Sequence, residues 1–207
     1  MENKNQLASV GLRRIFNSQI LMIVAVVLAA IMGIMSLSGS SGAIVIIVGI
    51  IAFIALAASF ILNLMGLVKA APAHSYFKLA LFFTIVSIIM NIIQVIPAFK
   101  NGNVATSVIQ TVSDSVMIIL VCVGAIQLLK ACKEEGTAKI GTIIIALCVI
   151  CCVIFEICEI FSFSSTGTTA MVLLIAVMVC EVLSKILYLV FIGKASSALA
   201  KHTAIEE

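Results

Sequence analysis

Residues 170–193 read AMVLLIAVMVCEVLSKILYLVFIG, with Glu181 and Lys185 one helical turn apart inside an otherwise mostly apolar run. As a helix rising 1.5 Å per residue, the run is long enough to cross about 30 Å of hydrocarbon. A charge at the centre of a spanning helix costs roughly 2.5–3.5 kcal/mol on insertion scales, against about 0.3–0.6 kcal/mol gained from each Leu, Ile, Val or Phe. Two such charges nearly cancel the apolar drive of the segment. It needs partner helices to hold its polar face away from lipid, and the rest of the chain supplies them.

Five further apolar segments of spanning length precede it, at about 19–38, 43–68, 79–99, 105–129 and 140–162. Of the 207 residues, 63% are hydrophobic and 10% charged, whereas soluble domains are about 45–50% apolar and about 25% charged. The mean hydropathy is +1.34. No stretch outside the apolar segments is long enough for a soluble domain, so residues 1–207 read as a single membrane domain. The expected fold is an all-α, polytopic integral membrane protein of six transmembrane helices. The short connections between segments force antiparallel neighbours and fold the chain as three hairpins.

Ten of the twelve Lys and Arg residues fall on one side of this plan. They are Lys4, Arg13 and Arg14 before the first segment, Lys69 and Lys78 around the second connection, Lys130, Lys133 and Lys139 around the fourth, and Lys194 and Lys201 after the sixth. Lys100 alone lies on the other side, and Lys185 lies within the membrane. Cytoplasmic loops carry the Lys/Arg excess, so both termini are expected on the cytoplasmic side of a bacterial cytoplasmic membrane. A net charge of +3 is too small to suggest a nucleic-acid partner, and the basic residues mark orientation instead. The small residues after the first apolar run also suit a signal peptide. That run, however, is about 18 residues, longer than a usual signal core, and it has counterparts later in the chain, so the segment is expected to be retained.

The counterparts form an internal repeat. Each hairpin closes on a similar phrase: Gly66-Leu-Val-Lys69-Ala, Gln127-Leu-Leu-Lys130-Ala and Phe191-Ile-Gly-Lys194-Ala. The closing lysines are 61 and 64 residues apart, and Phe16 to Phe77 and Lys78 to Lys139 repeat the offset of 61. Repeats are drawn at about 13–77, 78–138 and 139–201. The organisation resembles the HdeD-like short-repeat family, six-helix bacterial inner-membrane proteins of about this length built from tandem hairpins. Pro97, at the outer end of the third segment, is similar to a proline of those hairpins, although the first and third hairpins lack it and glycine repetition is thin. The resemblance implies a six-helix bundle and a link to acid-stress resistance, and it implies no particular chemistry.

Protein-facing sides of membrane helices show small and polar residues three and four apart. Ala25, Ala29, Gly33 and Ser36 form such a row in the first segment, and Ala52, Ala55, Ser59, Asn63 and Gly66 in the second. Both read as packing seams. The third segment has a more polar stripe, Thr84, Ser87, Asn91 and Gln94, and the fourth has Ser107, Gln110 and Asp114, with Thr111 and Ser113 beside them. The fifth has Cys148, Cys152, Glu156 and Glu159, and the sixth has Glu181, Ser184, Lys185 and Tyr188. The acids do not repeat: Asp114 aligns with Phe53 and Met178, and Glu181 with Met117. The duplicated scaffold therefore does not require them for packing.

Intramembrane ionisable residues point to function by default. The candidate interior polar site is Glu181, Lys185, Asp114, Glu156, Asn91, Gln94 and Gln110. Asp114 and Glu156 would line an outward-opening vestibule ending at the Glu181–Lys185 pair, with Lys100 at its rim as a partner for Glu159 or Asp114. The bland alternatives are an i,i+4 structural ion pair for Glu181–Lys185 and an interfacial position for Glu159.

Six of the seven cysteines lie in apolar segments and read as small packing residues. Cys148-Val-Ile-Cys151 is formally a CxxC motif, but it sits mid-helix in apolar surroundings that leave thiols poorly ionised. A metal set of Cys148, Cys152 and Glu156 has helical spacing but no histidine, since His74 and His202 are both in cytoplasmic segments. No HExxH, GxSxG or Gly-Lys-Ser/Thr phosphate loop occurs. The expectation is a non-enzyme without a cofactor. It is either a small transporter or channel-like protein for a proton, cation or small cationic solute, or a non-transporting structural or stress-response protein. In the second case it could be the membrane subunit of a larger complex. A substrate-binding membrane subunit of an energy-coupled importer is a further variant, and a membrane-protein partner or a homo-oligomer is expected in either case.

Overall fold

The computed structural model describes residues 4–37, 42–95, 104–164 and 168–205. Six helices follow in order: α1 (Lys4–Leu37), α2 (Gly42–Ala70), α3 (Ser75–Val95), α4 (Val104–Ala131), α5 (Glu135–Ser164) and α6 (Thr168–Ile205). There is no strand among the described residues. Among the described residues four stretches are long and apolar enough to cross a membrane: Lys4–Gly33, Gly42–Ala70, Val112–Ala131 and Val182–His202. Large apolar side chains point outward, Phe53 (71% exposed), Ile46 (63%) and Ile143 (61%) among them. A surface of this kind marks a face that meets a membrane or other protein.

Each helix packs most extensively on its neighbour in sequence, α1 on α2, α3 on α4 and α5 on α6. Each pair keeps one antiparallel register that two contacts define. On α1 and α2, Gly11 faces Gly66 so closely that a Cβ on Gly11 would lie 2.6 Å from the Gly66 carbonyl. Seven residues on, the Ser59 hydroxyl donates to the Ser18 carbonyl at 2.9 Å. Ala25 and Ala52 continue the two rows by another seven residues and are buried. On α3 and α4, the Phe77 ring lies over Gly124. Ten residues along α3 and ten back along α4, Ser87 meets Asp114. On α5 and α6, Phe191 covers Gly141, and seven residues away the Cys148 thiol donates to the Ser184 carbonyl at 3.8 Å.

Two expectations are corrected here. The row proposed for α1 was Ala25, Ala29, Gly33 and Ser36. Ala29 and Gly33 are exposed, a Cβ on Gly33 would meet nothing within 4 Å, and the Ser36 side chain lies outside the described residues. The working row is Gly11, Ser18 and Ala25, because a step of seven drifts only about 20° around a helix, while each step of four drifts about 40°.

Helix ends differ as well. α1 begins at Lys4 rather than near residue 19, and α6 runs to Ile205 rather than 193. At 34 and 38 residues they are about 51 and 57 Å long, well beyond a hydrocarbon core. Outside the apolar runs their helical pattern simply continues, with Ala8, Leu12 and Ile15 on α1 and Ile192, Ala195 and Leu199 on α6 fully buried. The Ser196 hydroxyl donates to the Ser9 carbonyl at 3.0 Å and ties the two ends together.

Among the described residues the buried core is concentrated at this end, where α1 and α6 join Leu67 and Ala70 of α2, Phe77 and Ala80 of α3, Leu129 of α4 and Ala138 of α5. The α4–α5 connection is a Schellman turn, with Glu134 N–H donating to Leu129 O and Lys133 N–H to Lys130 O. Lys133 takes the left-handed position at φ 61°. Glu134 then accepts from or pairs with His202 Nε2 at 3.1 Å, which clasps the end of α6 to this turn.

Candidate functional site

Hydroxyls in an apolar helix have two outlets, their own helix backbone or a neighbouring helix. Thr84 and Ser113 take the first, donating to Ala80 O at 2.9 Å and Ile109 O at 2.7 Å. They are satisfied locally and are not part of a site. Ser87 takes the second and donates to the Asp114 carboxylate across the α3–α4 seam. Lys185 on α6 lies within electrostatic reach of the same carboxylate. One hydroxyl, one carboxylate and one ammonium group thus converge from three helices.

Both charged members stand well inside their helices. Asp114 is the eleventh of the 28 residues of α4 and Lys185 the eighteenth of the 38 of α6. Ser87 is buried, while Asp114 and Lys185 are half-buried. Between them and the basic end lies the packed core, with Val121, Cys122 and Ala125 of α4 and Tyr188, Phe191 and Ile192 of α6 almost wholly excluded from solvent. The polar station therefore has apolar packing beneath it.

One turn below Lys185, the Tyr188 side chain is fully buried, close to the thiols of Cys122 and Cys148. Among the described residues its hydroxyl has no hydrogen-bond partner, and neither does Asn63 Oδ1 on α2. Cys122, Cys132 and Cys148 form no disulfide among the described residues. Among the described residues no cluster of three or more His, Cys, Asp or Glu is placed to hold a metal ion.

Of the residues singled out from the sequence, Asp114 and Lys185 are brought together. The side chains of Glu181, Glu156, Asn91, Gln94 and Gln110 lie outside the described residues, as do those of Glu159, Lys100, Cys151 and Cys152. The sequence pointed Lys185 at Glu181 by i,i+4 spacing, and the structure adds Asp114 as a cross-helix partner. Ser87 was legible only as part of a polar stripe. Its pairing depends on the α3–α4 register, which no local pattern in either helix reveals. Comparison with protein-family models, curated proteins and solved structures gave no match to this chain.

Proposed function

We propose that the chain is a six-span integral membrane protein of a bacterial cytoplasmic membrane, with both termini cytoplasmic and three hairpins on an HdeD-like plan. Its function is to take up and pass a proton or small cation at Asp114, with Lys185 as the resident internal counter-cation. Glu181 and Glu156 extend the acidic path on the same reading. The observation that supports it is a carboxylate on α4 and an ammonium group on α6 within electrostatic reach of each other. Neither is required by the repeat, and both lie where an isolated charge costs roughly 2.5–3.5 kcal/mol. A cation or proton arriving at Asp114 competes with Lys185, so binding and release are linked to movement of α6 against α4.

A second reading is a non-transporting bundle, acting as a structural or stress-response protein or as a subunit of a larger complex. The Ser87 hydrogen bond favours it, because a carboxylate with a donor already in place needs no solute. Flux into proteoliposomes separates the two readings. The wild-type chain is expected to move protons or an alkali cation, while Asp114→Asn and Lys185→Met each lower the rate by about tenfold or more, on the order of 1.4 kcal/mol. Absence of wild-type flux for protons, alkali cations and small amines would leave the structural reading standing.

A further inference from the structure

The basic residues at the packed end are not scattered over it. On four helices a lysine stands one turn beyond an outward-facing apolar side chain of the same face. Lys78 follows this pattern with Phe82 (59% exposed), Lys139 with Ile143, Lys194 with Val190, and Lys69 with Met65. Residues four apart share a helix face, so each lysine continues the apolar row of the side chain one turn away. Lys78, Lys139 and Lys194 are themselves exposed and Lys69 is half-buried. The helix pairings bring all four to one end of the bundle, together with Arg13, Arg14, Lys130, Lys133 and Lys201. Only two carboxylates, Glu134 and Glu135, stand there among the described residues, and Glu134 is engaged by His202.

We infer that this belt holds the headgroups of anionic phospholipids in the surrounding leaflet. The inference rests on the membrane-spanning reading above but not on transport. A long ammonium side chain lays its methylenes along an apolar row and lifts its charge to the headgroup level, where anionic lipid contributes roughly 1 kcal/mol per Lys or Arg. The apolar side chain one turn away takes the acyl chain of the same lipid. A soluble polyanion would meet the charge but not the apolar row beside it. Lipid phosphate is therefore the occupant that uses both halves of the pattern. Bound across four helices, such lipids brace the hairpins against one another.

The test reconstitutes the full chain in nanodiscs of phosphatidylcholine alone or mixed with phosphatidylglycerol. Thermal unfolding and retained lipid are then measured, the latter by native mass spectrometry. The wild type is expected to unfold at higher temperature in the anionic discs and to retain phosphatidylglycerol. A quadruple variant, Lys69→Gln with Lys78→Gln, Lys139→Gln and Lys194→Gln, should lose that rise and weaken retention by about tenfold or more. Its Tm in phosphatidylcholine alone checks that it folds. Lys133→Gln with Lys201→Gln, which removes charge from the same end but not from the four rows, should keep the rise. An equal Tm for the wild type in both discs overturns the inference, as does a rise the quadruple variant retains or one reproduced by polyphosphate without anionic lipid. Failure of the wild type to float with vesicles of either composition would instead strike at the membrane-spanning reading itself.

Discussion

Gly66 and Gly33 are chemically identical helical glycines with opposite expected responses to one methyl group. At Gly66 a Cβ would meet Gly11 O and Ile15 Cγ1, each at 2.7 Å, and neither is the free end of a flexible chain. Gly66→Ala should therefore destabilise the bundle by about 1–3 kcal/mol through overpacking. Gly33→Ala meets nothing within 4 Å and should be neutral or stabilising by up to about 1 kcal/mol, because alanine loses less backbone entropy in a helix. Thermal unfolding of both variants in one detergent makes the comparison. The buried serines divide in the same way. Ser87→Ala removes a donor from a charged acceptor and should cost about 1.5–3 kcal/mol. Ser113→Ala removes a hydroxyl that only doubles up on a helix carbonyl and should stay within about 0.5 kcal/mol. Composition treats these two serines alike. What separates them is the direction of the side chain, fixed by the register of α3 on α4.

At the scale of elements, hydropathy located all six helices because apolar runs of spanning length are hard to produce otherwise. It could not locate the ends of α1 and α6. Hydropathy reports the preferred solvent, whereas helix termination depends on capping and packing, and Ala8, Leu12, Ala195 and Leu199 carry a buried helical face on beyond the most apolar runs. The α1 seam was misplaced for a related reason. Alanine and glycine abound on lipid-facing and protein-facing sides alike, and only the seven-residue repeat shared with α2 singles out Gly11, Ser18 and Ala25. Lys133 gave no sequence signal at all. The left-handed position of a Schellman turn normally falls to glycine, and an L side chain there costs about 1–2 kcal/mol. Lys133→Gly should raise stability by about 1 kcal/mol, read as a higher Tm. An unchanged or lower Tm would mean that the lysine makes a compensating contact.

For the whole molecule, the three hairpins follow from short connections and could be inferred before any coordinates. How they join could not. α1 meets α6 through Ser9–Ser196, and α4 meets α6 at Asp114 and Lys185, so the last helix ties the first and second hairpins together. The opening stretch owes its polar residues in part to this role: Lys185 answers a carboxylate on another hairpin as well as any on its own helix. The Asp114–Lys185 coupling is the centre of the proposed function. Its most direct test is a double-mutant cycle with Asp114→Asn, Lys185→Met and both together, following unfolding and proteoliposome flux in the same preparations. Each single change leaves a membrane-interior charge less well compensated. The pair should therefore show an interaction energy of about 0.5–3 kcal/mol, with the double variant more stable than the singles predict while flux stays lost. Additive effects on stability, or flux in the double variant equal to wild type, would contradict it.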